Sequence, residues 1–430
     1  MNKPYIVYNL LKISVVLCFF GYFQVGAFCQ TDSILTLSYC QSEAILNYPS
    51  VKDKELLKKA SEFRLQGIET NLLPQMSLNG QATYQSDVIN LPAGGPISIH
   101  QHKDQYKASL DINQTIFDGG STRYQKKLEE SGTASDIQQV EVDLFKIRDQ
   151  VNNVYFLLIS LQENEKLLKT VLNEITERKK VVVSSVNNGV LMQSDLDVLE
   201  AERLKTEQQL AEIDINRRSS LTILSILVNK PLNETVRFQL PVMEIKDSMQ
   251  VVRPEYKLFE MQTQRIDDSK LLSKTLLLPK VSAFGQAGYG RPGLNMLNDK
   301  FNSYYMVGVT FKWVFFDWNK NSRDRQVLEV QKERIGIQRE NFDRNLNIDL
   351  QNKLANIQKL EEAIARDSSI VAIRVRITHS STSRLENGVI TSTDYLTDLN
   401  AETSARINFE THKIQLEQAK TSYLLAKGIY

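Results

Sequence analysis

The sequence is short of the residues on which most enzyme and metal chemistry depends. Only 3 of its 430 residues are cysteine and only 4 are histidine. Cys18 lies in an N-terminal leader and Cys29 at its end, which leaves Cys40 alone or nearly so and excludes a disulfide scaffold. His100 and His102 form a His-x-His pair with no cysteine or carboxylate cluster nearby, so a solvated loop is expected there rather than a metal site. No phosphate-cradling Gly-x-x-x-x-Gly-Lys, serine-centred elbow or His-Glu-x-x-His helix occurs. Neither an enzyme nor a bound cofactor or metal is expected.

Surplus charge is missing too. With 52 Lys+Arg against 51 Asp+Glu the net charge is +1, which gives no basic footprint for nucleic acid. The one long apolar run is "ISVVLCFFGYF" (13–23), well short of the roughly 20 residues a membrane-spanning helix needs. Lys3 and Lys12 precede it and "QVGAFCQ" follows, the pattern of a secretory signal peptide over residues 1–29. Cleavage after Ala27 and after Cys29 both fit. Phe28 stands where lipid attachment at Cys29 would need a small residue. An exported chain is expected.

What is present is duplication. "NGVLMQSD" (188–195) returns as "NGVITSTD" (387–394), and "IFD" (116–118) as "FFD" (315–317), both 199 residues on. "LLPQMSLNGQATY" (72–84) returns as "LLPKVSAFGQAGY" (277–289), 205 residues on. Two copies of one unit are expected. The slip between the two offsets falls in polar, Pro- and Gly-containing stretches, where length changes cost little. From Tyr106 to Asp195 the register is constant, as a rigid element of fixed length would make it.

Residues 76–85 alternate apolar and polar, as do 106–113 and the segment Tyr305, Val307, Val309, Phe311. Period two predicts strands with one apolar and one polar face. At ten to twelve residues each is long enough to cross a bilayer as a tilted strand. Tyr84, Tyr106, Tyr289 and Tyr305 lie near the loops, and Phe117, Trp313 and Phe315 at the far ends, an arrangement like two aromatic girdles. Four strands cannot close a barrel, so membrane strands would require several chains to share one.

No proline occurs between Gly120 and Pro231. Ile137, Val140, Leu144, Ile147, Val151, Val154, Leu158 and Leu161 follow alternating spacings of three and four, the seam of helices packed side by side. A helix over 120–186 would be about 100 Å long, and 320–385 predicts a second of the same length. Return helices are expected to start at Ser194 or Asp195 and at Thr393 or Asp394 as N-caps. Asn188, Gly189, Asn387 and Gly388 are expected to form the turns between them.

The full division is a signal peptide (1–29), a first repeat (30–229), a linker (230–250) and a second repeat (251–430). In the first repeat the elements are helix 34–71, strands 74–86 and 104–117, long helix 120–186 and return helix 195–228. In the second they are helix 254–276, strands 279–290 and 303–316, long helix 320–385 and return helix 394–428.

In its doubled order of elements, in "QTIFDGG" (114–120) and in the "LLP" before each hairpin, the mature chain resembles the TolC-type outer-membrane efflux proteins, the outer membrane factors. The resemblance implies a mainly α protein whose helical hairpins form an α-barrel, with four strands per chain in a shared membrane β-barrel. It implies a homotrimer in the outer membrane of a Gram-negative cell, surrounded by outer-membrane lipid, with its helices in the periplasm. It also implies two partners: a periplasmic adaptor (membrane fusion protein) and an inner-membrane pump, either RND-type or an ABC exporter. The function implied is a passive exit duct in efflux or type I secretion.

In such proteins an aspartate on the second hairpin turn can ring the closed entrance. Asp394 matches it and Asp195 is its counterpart in the first turn; capping and gating are both open to Asp394. A second family aspartate would fall on Thr397, with Asp398 displaced by one, so a double acidic ring is not expected. "FDWN" (316–319) lacks the paired glycines of "FDGG". The alternative from another class is a periplasmic or surface coiled-coil protein without channel activity.

Overall fold

Residues 34–91, 99–246 and 249–429 are described in a computed structural model, without the side chains of 90, 91, 99 and 100. The expected signal peptide at 1–29 lies outside the described residues. A short strand β1 (Ile34–Leu35) leads into helices α1 (Leu37–Asn47) and α2 (Ser50–Glu69). Strands β2 (Gln75–Tyr84), β3 (Asn90–Leu91), β4 (Ile99–His100) and β5 (Asp104–Phe117) follow. Then come the long helix α3 (Ser121–Asn187) and its return α4 (Gln193–Val228). After β6 (Arg237–Phe238) the order recurs as α5 (Pro254–Thr275), β7 (Lys280–Arg291), β8 (Asn302–Lys312), α6 (Lys320–Glu386) and α7 (Ser392–Lys427).

The lengths match. Both long helices have 67 residues and both return helices 36. At 1.5 Å per residue each long helix runs about 100 Å. Two rods of one length suit a structure in which both must reach between the same two planes.

The expected single helix over 34–71 is instead two, α1 and α2. Tyr48 is extended (φ −68°, ψ 134°) because the ring of Pro49 crowds the helical region for the residue before it. The expected strand over 303–316 stops at Lys312, which pairs with Lys280, the first residue of β7. The next position on that neighbour is Pro279, which has no N–H to offer.

Four strands form one antiparallel sheet in the order β2-β5-β7-β8. Its central pair joins the two halves of the chain, with Leu110 opposite Ala287 and Asp111 opposite Gln286. Among the described residues the outer strands β2 and β8 have one neighbour each, so each presents an unpaired edge.

Among the described residues three apolar clusters run along the helices in place of one core. The largest surrounds Tyr155, which is fully buried with Val151, Phe156, Leu158 and Leu224. Burying each such side chain is worth about 1.5–3 kcal/mol. The Tyr155 ring meets Phe238 edge-on at 5.4 Å, and its hydroxyl lies 2.9 Å from Leu35 O and 2.7 Å from Gln239 O. These carbonyls flank the parallel pair of β1 with β6. The segment expected to be a linker, 230–250, is therefore bound down: Val236 and Phe238 belong to this core and Met243 packs against it. Cys40 sits in the same cluster, and burial pushes its thiol up to about 12. Among the described residues no helix is long and apolar enough to cross a membrane.

Tyr155→Phe strands two carbonyls that share one hydroxyl proton, and is expected to destabilise the chain by about 1–3 kcal/mol. Thermal unfolding in detergent checks this: an unchanged transition would show that β1 and β6 do not depend on Tyr155.

Candidate functional site

Two regions collect the residues singled out above: the sheet and the helical tips. Strand pleating puts Met76, Leu78, Leu110, Ile112, Val307 and Val309 on one face and Asn79, Gln81, Asp111 and Gln286 on the other. The apolar face is open: Leu78 is 81 % exposed, Val307 75 % and Phe311 64 %. On the polar face Asp111 accepts from Gln286 Nε2 at 2.6 Å and from the Asn79 amide, tying three strands together.

Tyr84, Tyr106, Tyr289 and Tyr305 are exposed on the apolar face at the loop end of the sheet, and Phe117, Trp313 and Phe315 are exposed at the other. Trp313 and Phe315 lie beyond the end of β8 rather than on it. Trp313 is held there by donating from Nε1 to Leu277 O at 3.1 Å, with its ring 6.1 Å from Phe315. Phe301 was not singled out in the sequence, yet it joins two of the tyrosines, stacking at 5.6 Å on Tyr289 and 6.3 Å on Tyr106. Its signal was an aromatic placed just before a strand.

The loops at this end are also joined. His102 N donates to Asp299 Oδ1 at 3.2 Å, and the His102 ring bonds to the same carboxylate. Arg291 bonds to Asp104, and its guanidinium lies 5.2 Å from the Phe301 ring centre. So His102 joins two loops. No group of three or more possible metal ligands occurs among the described residues.

At the tips, Gly189 (φ 74°) and Gly388 (φ 69°) take the left-handed conformation that ends α3 and α6. The amides of Val190 and Val389 return to Ser185 O at 2.9 Å and Arg384 O at 2.8 Å, closing each helix end. Asn188 and Asn387 are the last caps before these glycines. Ser194 and Thr393, expected as possible N-caps, sit inside the first turns, as do Asp195 and Asp394. The caps are Met192 and Thr391, because each aspartate reaches back from three positions on. Asp195 Oδ2 accepts from Met192 N at 3.1 Å, and Asp394 Oδ2 from Thr391 N at 3.1 Å. Thr391 returns the bond, accepting from Asp394 N at 3.2 Å.

The two aspartates then part company. The second oxygen of Asp195 accepts from Ser392 N at 3.0 Å and so links the two hairpins. Asp394 is exposed and bonds within its own turn. The Thr391 hydroxyl, then its amide, hold the Asp394 carboxyl below the usual carboxylate range, with help from Arg384. Asp398 is turned to α6, where Ser381 Oγ donates to it. Further ties join the hairpins: Tyr395 donates to Glu174 at 3.0 Å, and Arg178 pairs with Glu386. Within the first hairpin, Arg203 and then Lys179 hold Glu200 down to about 2.

Because the Asp394 value is lowered on folding, its contribution is fully present above the ordinary value of about 3.9 and fades as pH falls through the lower folded value. A spin label at exposed Val389 is expected to gain mobility below about pH 4, and Asp394→Asn is expected to flatten that response. An identical acid response in the variant would remove Asp394 as the cause. Asp195→Ala is expected to cost about 1 kcal/mol and to speed exchange of the Ser392 amide, measurable by hydrogen exchange.

No family model matches the sequence, and no curated protein does. Solved structures do match the fold. The chain aligns with the Campylobacter jejuni CmeC outer membrane channel at 17 % identity and TM-score 0.66, covering 91 % of this chain and 85 % of that one. With the outer membrane protein VceC of Vibrio cholerae the values are 15 %, 0.68, 91 % and 96 %. With the open state of the Neisseria gonorrhoeae MtrE outer membrane channel they are 18 %, 0.64, 91 % and 88 %. Over nine-tenths of its length, the chain thus has the fold of outer-membrane channels.

Proposed function

We propose that this chain is the outer-membrane exit duct of an export system, several copies sharing one β-barrel with their helices forming a tunnel into the periplasm. The observation that carries the reading is the exposed apolar face of the sheet. A strand bearing Tyr305, Val307, Val309 and Phe311 at 77, 75, 66 and 64 % exposure would forgo about 1.5–3 kcal/mol per side chain in water. Lipid removes that cost, but only if the free edges of β2 and β8 are paired, since hydrocarbon offers unpaired amides no partner.

The polar face, with Asp111, Asn79 and Gln286, then lines the lumen as a wetted wall. The fold's likeness to outer-membrane channels supports the reading, as does the leader-like N-terminus. Four strands per chain suit a homotrimer with a twelve-stranded barrel. A duct of this kind supplies no energy itself, so a periplasmic adaptor and an inner-membrane pump, RND-type or ABC exporter, complete the system.

At the periplasmic mouth, exposed Asp394 carboxylates from symmetry-related copies would repel anions and attract cations. Opening requires the hairpins to shift as rigid bodies, and the Asp195 bond to Ser392 N stands against that movement. Asp394 can cap its helix and face the entrance at once, because its bonds to Thr391 leave it at the surface.

Membrane fractionation is expected to recover the protein in the outer membrane and to need detergent for extraction; recovery as a soluble periplasmic protein would leave the coiled-coil alternative. In planar bilayers Asp394→Ala is expected to raise single-channel conductance and weaken block by trivalent cations. Unchanged conductance and block would reduce Asp394 to a cap.

A further inference from the structure

The contact between the two halves of the chain is a template for the contact between copies. Helices α3 and α6, the turn glycines and the return helices coincide at an offset of 199 residues, while β2 and β7 coincide at 205. Within the chain, β5 of the first half pairs with β7 of the second. The equivalents of that pair are β8 and β2, the two strands whose outer edges are free. A strand edge left free at each end of one sheet is a heterologous contact, which closes into a ring when copies repeat it.

We propose that β8 of one copy pairs with β2 of the next in the register that the internal β5–β7 pair sets: Val309 opposite Ala82, Thr310 opposite Gln81 and Lys312 opposite Asn79. This rests on the duct reading, and it specifies which residues meet. The internal partners are Leu110 with Ala287, Asp111 with Gln286 and Asn113 with Phe284. Both free strands offer matching faces, polar Gln81 and Asn79 on β2 against Thr310 and Lys312 on β8.

The helices support the same placement through a change of chemistry. Inside the chain α3 meets α5 through polar groups: Lys127 pairs with buried Asp268 at 3.0 Å, and Gln138 donates to Pro254 O at 3.0 Å. At the equivalent positions of α6 and α2, Asp268 is replaced by Phe63 and Gln138 by Ile337. Phe63 is 61 % and Ile337 56 % exposed, and neighbouring Val327 and Val330 are 57 % and 55 %. Phe63 and Ile337 stand open in one copy where the internal contact is polar, which fits burial against a second copy and not permanent hydration.

The turn before each long helix separates the two contacts. Gly119 and Gly120 (φ 69° and 82°) are matched by Trp318 and Asn319 (φ 55° and 60°), so the backbone is retained with other residues. A Cβ at Gly119 would lie 2.7 Å from Leu278 Cβ, so the internal seam admits no side chain. Trp318 is 80 % exposed and its equivalent neighbour is Leu73, itself 56 % exposed. The seam between copies is accordingly wider here, and the Trp318 indole fills it. A left-handed backbone is costly for a bulky residue, and this contact is what Trp318 supplies in return.

The test uses the full chain in outer membranes. Buried Cys40, with its raised thiol value, does not compete, and a Cys29→Ala background removes the thiol that cleavage after Ala27 would leave. The matched pairs Val309→Cys with Ala82→Cys, and Thr310→Cys with Gln81→Cys, cover both faces and hence both classes of antiparallel pair. On oxidation at least one is expected to give covalent multimers about tenfold above the shifted pairs Val309→Cys with Gly80→Cys or with Tyr84→Cys. Stronger linkage in a shifted pair overturns the register, while conductance of the reduced protein leaves the duct reading intact. No linkage in any pair together with no conductance overturns both. Trp318→Gly relieves the backbone of a single copy but also removes the ring contact with Phe316 at 4.8 Å, so Phe316→Ala, which removes that contact alone, is the control and is expected to keep the native heat resistance. For Trp318→Gly the wedge predicts loss of the oligomer band at a temperature where the native oligomer persists; retention of that band overturns this role.

Discussion

One constraint governs the sheet, the helical tips and the waist of this molecule: a backbone amide or carbonyl taken from water needs a partner. The four-stranded sheet satisfies it internally for β5 and β7 but only on one side for β2 and β8. In the proposed membrane setting, a sheet with two open edges and an exposed apolar face needs further copies to complete it. The same demand acts at the helical tips. There the free amides at the starts of α4 and α7 are met by Asp195 and Asp394 reaching back from the first turn. It acts again at the waist, where the Tyr155 hydroxyl serves two strand carbonyls.

The helices obey a second constraint, of length. A rod of 67 residues has no globular interior to enter, so its stability comes from neighbours laid along it. That explains why burial is spread over three clusters, one near the tips, one at the waist around Tyr155 and one around Leu350 and Tyr423. It also explains why the chain between the halves is fastened to the helices at Phe238 and Met243. A loose linker would leave the waist cluster open to water.

Much of this was legible in the chain itself. Strand alternation exposes its own period, and a heptad seam with no proline leaves few alternatives to a long helix. The end of each long helix could be placed to within a residue or two, because glycine after asparagine marks a left-handed stop. The N-caps were displaced by two or three residues for a definite reason. An aspartate at the third helical position satisfies the same amides as one at the cap, and sequence does not distinguish them. The break at Tyr48 follows from Pro49. Phe301 escaped notice because its role depends on two tyrosines brought to it by separate strands.

The sequence by itself determined the periods, the lengths and the doubling, because these depend on neighbours a few residues away and on copies that can be aligned by eye. It showed as well that "FDWN" (316–319) lacks the paired glycines of "FDGG" (117–120). Only the tertiary structure decided that Trp318 and Asn319 take positive φ as Gly119 and Gly120 do. It alone separated Asp195, which joins two hairpins through Ser392 N, from Asp394, which stays at the surface. Those outcomes depend on groups nearly 200 residues apart in the chain, and no local pattern carries the distance between them.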